Sequence, residues 1–293
     1  MAAPRARRRE AATAYLFLTP NLALFLAFMF LPLVLVFWVA MQDKPTFGPA
    51  TFVGLDNYRA LLHDATFWRS MINTVGYTLI VVPLSLVLGM GLALLLNRRL
   101  PLRALFRSVF YLPVVISGLA TGIITGWLFN EEIGVVNRIL GIVGIGAQQW
   151  QSDPKLAVVT VVLVTLWGRV GFCMVIYLAA LQGVSRELYD AAACDGATPL
   201  QRFRHITLPG VRYSTFFLVI MGIIESFQVF DLIFALTGGG PGDSTEVLGL
   251  YAYQTAFQTR ERGYGAAIGV VLYVLILAVT LVQWRASRQK SLV

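Results

Sequence analysis

Apolar residues run in six windows along the chain, at residues 15–41, 73–96, 105–129, 156–181, 213–236 and 264–284, with the polar residues gathered between them. Each window is long enough, at about 1.5 Å of rise per residue, to cross a hydrocarbon core of about 30 Å, so each predicts a membrane-spanning helix. The first follows Arg5, Arg7, Arg8 and Arg9 and has the charge order of a signal peptide. It exceeds the apolar stretch of about 7–15 residues that such peptides carry, and no small-residue cleavage pattern closes it. A first span is therefore expected, kinked or starting late near Asn21 because Pro20 and Pro32 interrupt it.

The stretches between windows carry their own signals. In FVGLDNYRALL, residues 52–62, Leu55, Tyr58, Leu61 and Leu62 fall at helical spacing and predict a short surface helix starting near Asp56. GVVNRIL, residues 134–140, repeats the arrangement, and Gly238, Gly239, Gly240, Pro241 and Gly242 force a turn. Such loops either rest on the membrane or meet an external partner. A polar insert of 23 residues, ELYDAAACDGATPLQRFRHITLP, residues 187–209, lies between the fourth and fifth windows.

Composition fixes the class: 57% of residues are hydrophobic and 13% charged, and the mean hydropathy is +0.72. The fold class is an all-α polytopic membrane protein with a lipid bilayer as its solvent. The net charge of +8 does not indicate nucleic acid, because the arginines lie in inter-span loops and not on a basic soluble face. With the N-terminus cytoplasmic, fifteen Lys and Arg fall inside: the four N-terminal arginines, Arg98, Arg99, Arg103, Arg107, Arg186, Arg202, Arg204, Arg212, Arg285, Arg288 and Lys290. Seven fall outside: Lys44, Arg59, Arg69, Arg138, Lys155, Arg260 and Arg262. Positive charge collects on the inner face, so both termini and the insert are expected to be cytoplasmic. Cys173 and Cys194 sit in different environments and make neither a metal site nor a disulfide framework.

Within the insert, Ser185 is placed to cap a first helix with Glu187 in its opening turn, where the helix dipole favours negative charge. That helix should run through Leu188, Tyr189, Asp190, Ala191, Ala192 and Ala193 to about Asp195, with Gly196 as its left-handed stop. Thr198, Pro199 and Gln201 then read as N-cap, first-turn proline and capping-box partner of a second helix, limited by Pro209. Leu188, Ala191, Ala192 and Asp195 share one mostly small face. That face either packs beneath the chain's own bundle or admits the close approach of a partner.

The order Asp190-Ala191-Ala192, three residues, Gly196, nine residues, Ile206, one residue, Leu208-Pro209 resembles the "EAA" signature of permease subunits of binding-protein-dependent ABC importers. The likeness covers the core from about residue 73 to residue 284. FVGLDNYRALL, FYLPVVISGL at residues 110–119 and TGGGPGDST at residues 237–245 resemble the carbohydrate, maltose-type branch. Asp190 departs from the usual Glu, keeping the charge with a shorter reach.

The resemblance implies a tail, first helix and external loop in residues 1–70, a permease core in residues 71–285 with a cytoplasmic coupling helix at 186–209, and a cytoplasmic tail at 286–293. It implies that Glu187, Leu188, Tyr189, Asp190, Ala191, Ala192, Gly196, Ile206, Leu208 and Pro209 dock on an ATP-hydrolysing subunit. The expected partners are a second permease, two ATP-binding subunits and an extracytoplasmic solute-binding protein, in a bacterial cytoplasmic membrane. The expected cargo is a carbohydrate.

No G-x-x-x-x-G-K-[ST] phosphate loop occurs, so ATP and Mg are expected in partner subunits, and this chain is expected to hold no cofactor and no metal. No carboxylate pair, His cluster or nucleophile suggests catalysis; His63 and His205 lie in opposite loops. Polar groups within spans are costly in lipid and usually face a cavity. The fifth window holds Glu225, Gln228 and Asp231 with Phe227 and Phe230 between them, a mixture that suits sugar hydroxyls and the apolar face of a ring. The competing readings are that Glu225 pairs with Arg169 to join helices and that Asp231 meets water near the surface. Asn73, Tyr77 and Trp127 are weaker candidates, since interfacial belts also use Tyr and Trp. A carrier driven by an ion gradient is the alternative class, but it needs its own coupling sites, and no inverted repeat is visible.

Overall fold

A computed structural model describes residues 4–43, 48–98 and 100–290; Lys44 and Arg99, counted in the loop charges, lie outside them. The chain is built of helices α1 (Pro4–Phe25) and α2 (Leu31–Ala40), joined by a π turn, α3 (Asp56–His63), α4 (Ala65–Leu96), α5 (Arg103–Tyr111) and α6 (Gly118–Leu128). There follow α7 (Val135–Ile142), α8 (Pro154–Gln182), α9 (Arg186–Cys194), α10 (Pro199–Arg202), α11 (Leu208–Gly210), α12 (Arg212–Phe227), α13 (Asp231–Leu236), α14 (Leu248–Tyr253) and α15 (Arg262–Lys290). Two strands of two residues, β1 (Gln42–Asp43) and β2 (Thr51–Phe52), pair antiparallel.

Four helices are long and apolar enough to cross a membrane singly: Thr13–Ala40, Ala65–Leu96, Pro154–Gln182 and Arg262–Arg285. Two more spans arise only if bent pairs count as one, Arg103–Val115 with Gly118–Leu128 at 103° and Pro199–Gly210 with Arg212–Phe227 at 65°. This is the first correction to the window pattern: the third and fifth windows are not straight helices. Pro113, which has no N–H to give, sits in a 3-10 turn at Leu112–Val115, and Ile116 and Ser117 are extended before Ser117 caps α6 by accepting from Ala120 N. In the fifth window α12 stops at Phe227 and α13 begins at Asp231, whose Oδ1 accepts from Leu232 N at 2.9 Å. No Gly or Pro marks that break, so periodicity runs straight across it.

The second window also starts early. α4 begins at Ala65 and has 32 residues, so its polar first turns, with Arg69, Ser70 and Asn73, extend the helix beyond what a bilayer requires. The interruption expected at Pro20 and Pro32 is a π turn at Leu26–Phe30 between them. The tail expected at 286–293 continues α15 as far as Lys290.

The chain divides into two compact units. In the first, which runs to Asp64 and includes Ala252–Val271, Asn57 Nδ2 donates to the carbonyls of Ala40 and Gln42 at 2.9 and 3.0 Å, and Tyr264 donates to Asp64 at 2.6 Å. In the second, which comprises Ala65–Tyr251 and the chain from Leu272, α4 packs along α8. Gly89 allows this approach, since a Cβ there would run into Cys173. Around it lie Met90, Ala93, Leu96, Met174, Tyr177 and Leu218, all buried. Four hydroxyls inside these helices are satisfied locally: Thr74, Thr78, Thr160 and Thr165 each donate to the carbonyl four residues back.

Candidate functional site

The insert is a helical hairpin made by local chemistry. Ser185 Oγ accepts from Glu187 N at 3.2 Å and opens α9. Gly196, at φ +73°, closes it: Ala197 N donates to Ala192 O and Gly196 N to Ala193 O, the paired bonds of a Schellman stop. Thr198 then opens α10 with a full capping box, its N–H donating to Gln201 Oε1 at 2.7 Å and its Oγ1 accepting from Gln201 N at 3.4 Å. Thr198→Ala should cost about 1 kcal/mol and speed amide exchange at Gln201 and Arg202 on the order of fivefold.

The second limb ends at Gly210, one residue past Pro209, before a bend of 65° into α12. A π turn at Phe203–Thr207 widens the helix just before the proline, and α11 carries it on to Gly210. The two limbs are tied by a hydrogen bond of 3.0 Å between the Tyr189 hydroxyl and Thr207 Oγ1. At the base, Gly210 lies against Val184, where a Cβ would come within 2.7 Å of Val184 Cγ2.

No residue of α9 is buried, and Leu188 and Leu200 are 54% and 73% exposed. Of the two readings of its small face, packing beneath the chain's own bundle requires burial that the structure does not have. Ile206 is half-buried, while Asp190, Ala191, Leu208 and Pro209 are exposed.

A cavity of about 480 Å³ lies between α8 and α12, the two helices that the insert connects. Of the residues expected along a substrate path, Tyr77, Glu225 and Asp231 line it. Phe227 is buried in the core, Phe230 stacks on Phe234 at 5.5 Å, and Gln228 caps the end of α12, exposed. Asn73 faces a separate cleft, and its amide donates to Asp243 O at 2.8 Å and Glu246 O at 2.9 Å, holding the glycine-rich turn. Trp127 lines a third cleft with Asn130 and Gln151.

Arg169 pairs with Glu225 in the cavity wall, with the guanidinium side chain 8% exposed and the carboxylate side chain 46% exposed. Gly222 makes room for the guanidinium, because a Cβ there would lie 2.8 Å from Arg169 Nη2. The Arg169 Nε and Nη2 atoms are enclosed without hydrogen-bond partners. The cation is thus turned into the protein, while the carboxylate faces the cavity. Asp231 stands over Gly118, where a Cβ would collide with its carboxylate. Tyr77 and Thr165 share a hydrogen bond of 2.9 Å beside them. Sequence reasoning missed Tyr111, Thr121, Thr165 and Ser226 as lining residues. Ser226 carried a signal, lying next to Glu225 in the same polar run; the others stand alone in apolar windows.

With this geometry established, comparison with known proteins assigns the family. Residues 85–289 match the family described as the inner membrane component of binding-protein-dependent transport systems. The chain is 34% identical over 281 residues to the trehalose/maltose transport system permease protein MalF of Thermococcus litoralis, covering 96% of this chain and 95% of the relative. It is 38% identical over 243 residues to the sulfoquinovosyl glycerol transport system permease protein SmoG of Agrobacterium fabrum, covering 83% of this chain and 79% of the relative. The fold matches that of a bacterial ABC transporter involved in import of the acidic polysaccharide alginate, with a TM-score of 0.84, 24% identity and 96% of each chain covered. The chain belongs to the permease subunits of binding-protein-dependent ABC importers, multi-pass proteins of the inner membrane. Such a subunit is not itself an enzyme; members of the family pair with another permease and with ATPase subunits, in which ATP is hydrolysed.

Proposed function

We propose that this chain carries a carbohydrate, delivered by an extracytoplasmic binding protein, through a cavity that opens alternately to the two sides of the membrane. In this reading the bent segment α5–α6 and the broken segment α12–α13 complete six spans, both termini and the insert are cytoplasmic, and the insert docks in a groove of an ATP-hydrolysing subunit holding ATP and Mg. The coupling surface is the exposed small face of α9 around Leu188, Ala191 and Ala192, flanked by Glu187, Tyr189 and Asp190, with Gly196 setting the bend. Ile206, Leu208 and Pro209 form the return limb.

One observation carries this reading: the hairpin, whose helix α9 has no buried residue, joins α8 to α12, two of the helices that line the cavity. Closure of the ATPases on ATP pulls the hairpin, and both walls move with it. Glu225 and Asp231, which line the cavity, would accept hydrogen bonds from sugar hydroxyls, and Tyr77 lines it with them. The relatives named for trehalose and maltose and for a sulfoquinovosyl glycerol support a carbohydrate as cargo.

The direct test is Asp231→Asn, which keeps the oxygen that accepts from Leu232 N and removes the charge from the cavity. The apparent KM for uptake of the cognate sugar should rise on the order of tenfold, as expected for one charge-assisted hydrogen bond, with ATP hydrolysis unchanged. Unaltered uptake kinetics would remove Asp231 from the path.

A further inference from the structure

α5 is fastened to α8 at two points about 16 Å apart along that helix, as the spacing of Gly171 and Gln182 and the rise of a helix require. At the first, the Phe110 carbonyl lies so close over Gly171 that a Cβ there would collide with it. At the second, the side-chain oxygen of Gln182, with the amide oriented by its donors, accepts from Arg103 Nη2 at 3.0 Å and Arg107 Nη2 at 3.2 Å. Among the described residues neither arginine forms an ion pair, and the Nε atoms of both are enclosed without partners. One neutral oxygen therefore holds two like charges together, next to the last carbonyls of α8, where the helix dipole favours cations.

The ends of this strut matter. Gln182 is the last residue of α8, and three residues later Ser185 opens the insert. At the other end, α5 runs into the turn whose Tyr111, Pro113, Val114 and Ile116 line the cavity.

We propose that Arg103, Arg107 and Gln182 form a clamp that transmits movement of the insert along α5 to the cavity wall. The proposal rests on the reading of the insert as the coupling element and assigns the positioning residues through which it acts. A displacement at the base of α8 then moves the Tyr111–Ile116 wall as one piece with α8, and α5 cannot slide, because it is pinned at Gly171 and at Gln182 together. Without the amide oxygen, the two guanidinia repel each other, the lower pin opens, and α8 moves alone.

The test uses the complete transporter purified from its membrane, with Cys194→Ser throughout and Val114→Cys as a reporter in the cavity wall. Labelling of that thiol by a maleimide is measured with and without trapping by Mg-ATP and vanadate, beside the rate of ATP hydrolysis. With Gln182 present, trapping is expected to change the labelling rate on the order of tenfold, a scale set by loss of a charge-assisted hydrogen bond. Gln182→Met, at an exposed position, should abolish that change while hydrolysis continues. Gln182→Glu, which offers both arginines a carboxylate, should retain it. Arg103→Gln with Arg107→Gln is the second disruption and should behave as Gln182→Met. A full labelling change in Gln182→Met or in the double arginine variant overturns the clamp. No labelling change with Gln182 present overturns the coupling reading itself.

Discussion

Gly196→Asp is expected to abolish ATP-driven uptake while the chain remains in the membrane at its normal level. Gly196 sits at φ +73° in the stop of α9, and nothing in the chain lies within 4 Å of where a Cβ would be. A side chain there meets no neighbour, so the fold pays only the left-handed backbone strain, about 1–2 kcal/mol, and less for Asp, whose short polar side chain tolerates that region. The larger effect lies at the docking surface. Seated in a partner's groove, the new carboxylate would be desolvated without a cation, an effective penalty of several kcal/mol. Since about 1.4 kcal/mol is a factor of ten, coupling falls by more than about a hundredfold. Gly196→Ala carries the strain without the charge and should keep measurable uptake. The measurements are uptake per amount of membrane-inserted protein and ATP hydrolysis of the assembled complex; normal uptake by Gly196→Asp would end the docking role of this hairpin.

The second large effect concerns the pair in the cavity wall, and its sign is asymmetric. Removing one partner of a buried ion pair costs about 3–5 kcal/mol when the other is left without compensation. Here the two are buried unequally: the Arg169 side chain is 8% exposed and that of Glu225 is 46% exposed. Glu225→Ala strands a largely buried guanidinium with two nitrogens already enclosed and unpartnered. Arg169→Met leaves a carboxylate that the cavity can hydrate. Glu225→Ala should therefore lower the thermal midpoint of the solubilised complex more than Arg169→Met, and the double variant should cost less than the two single losses added together. Equal losses, or an additive double variant, would show that the pair carries no such energy.

The insert was the most legible part of the chain. Ser185, Gly196, Thr198 and Gln201 act on partners within five residues, and every one of those bonds forms. The π turn before Pro209 was not legible, because it leaves no mark in residue type or period. In the spans, polar residues pointed to a cavity but did not sort themselves. Glu225 and Asp231 face it, while Gln228, from the same run, caps α12, and Asn73 is occupied by the carbonyls of a distant turn. The choice between a pairing role and a cavity-facing role for Glu225 turned out to be no choice, since it does both.

The amino-acid sequence by itself determined that the chain lies in a membrane, which stretches are apolar enough to enter it, and the capped hairpin between α8 and α12. These follow from transfer of side chains to lipid and from hydrogen bonds that close within one helical turn. Only the tertiary structure decided where the third and fifth windows break and which polar groups meet at the cavity. Those features depend on residues from different helices, such as Asp231 over Gly118, Gly222 beneath Arg169 and Phe110 on Gly171, whose proximity no local pattern records.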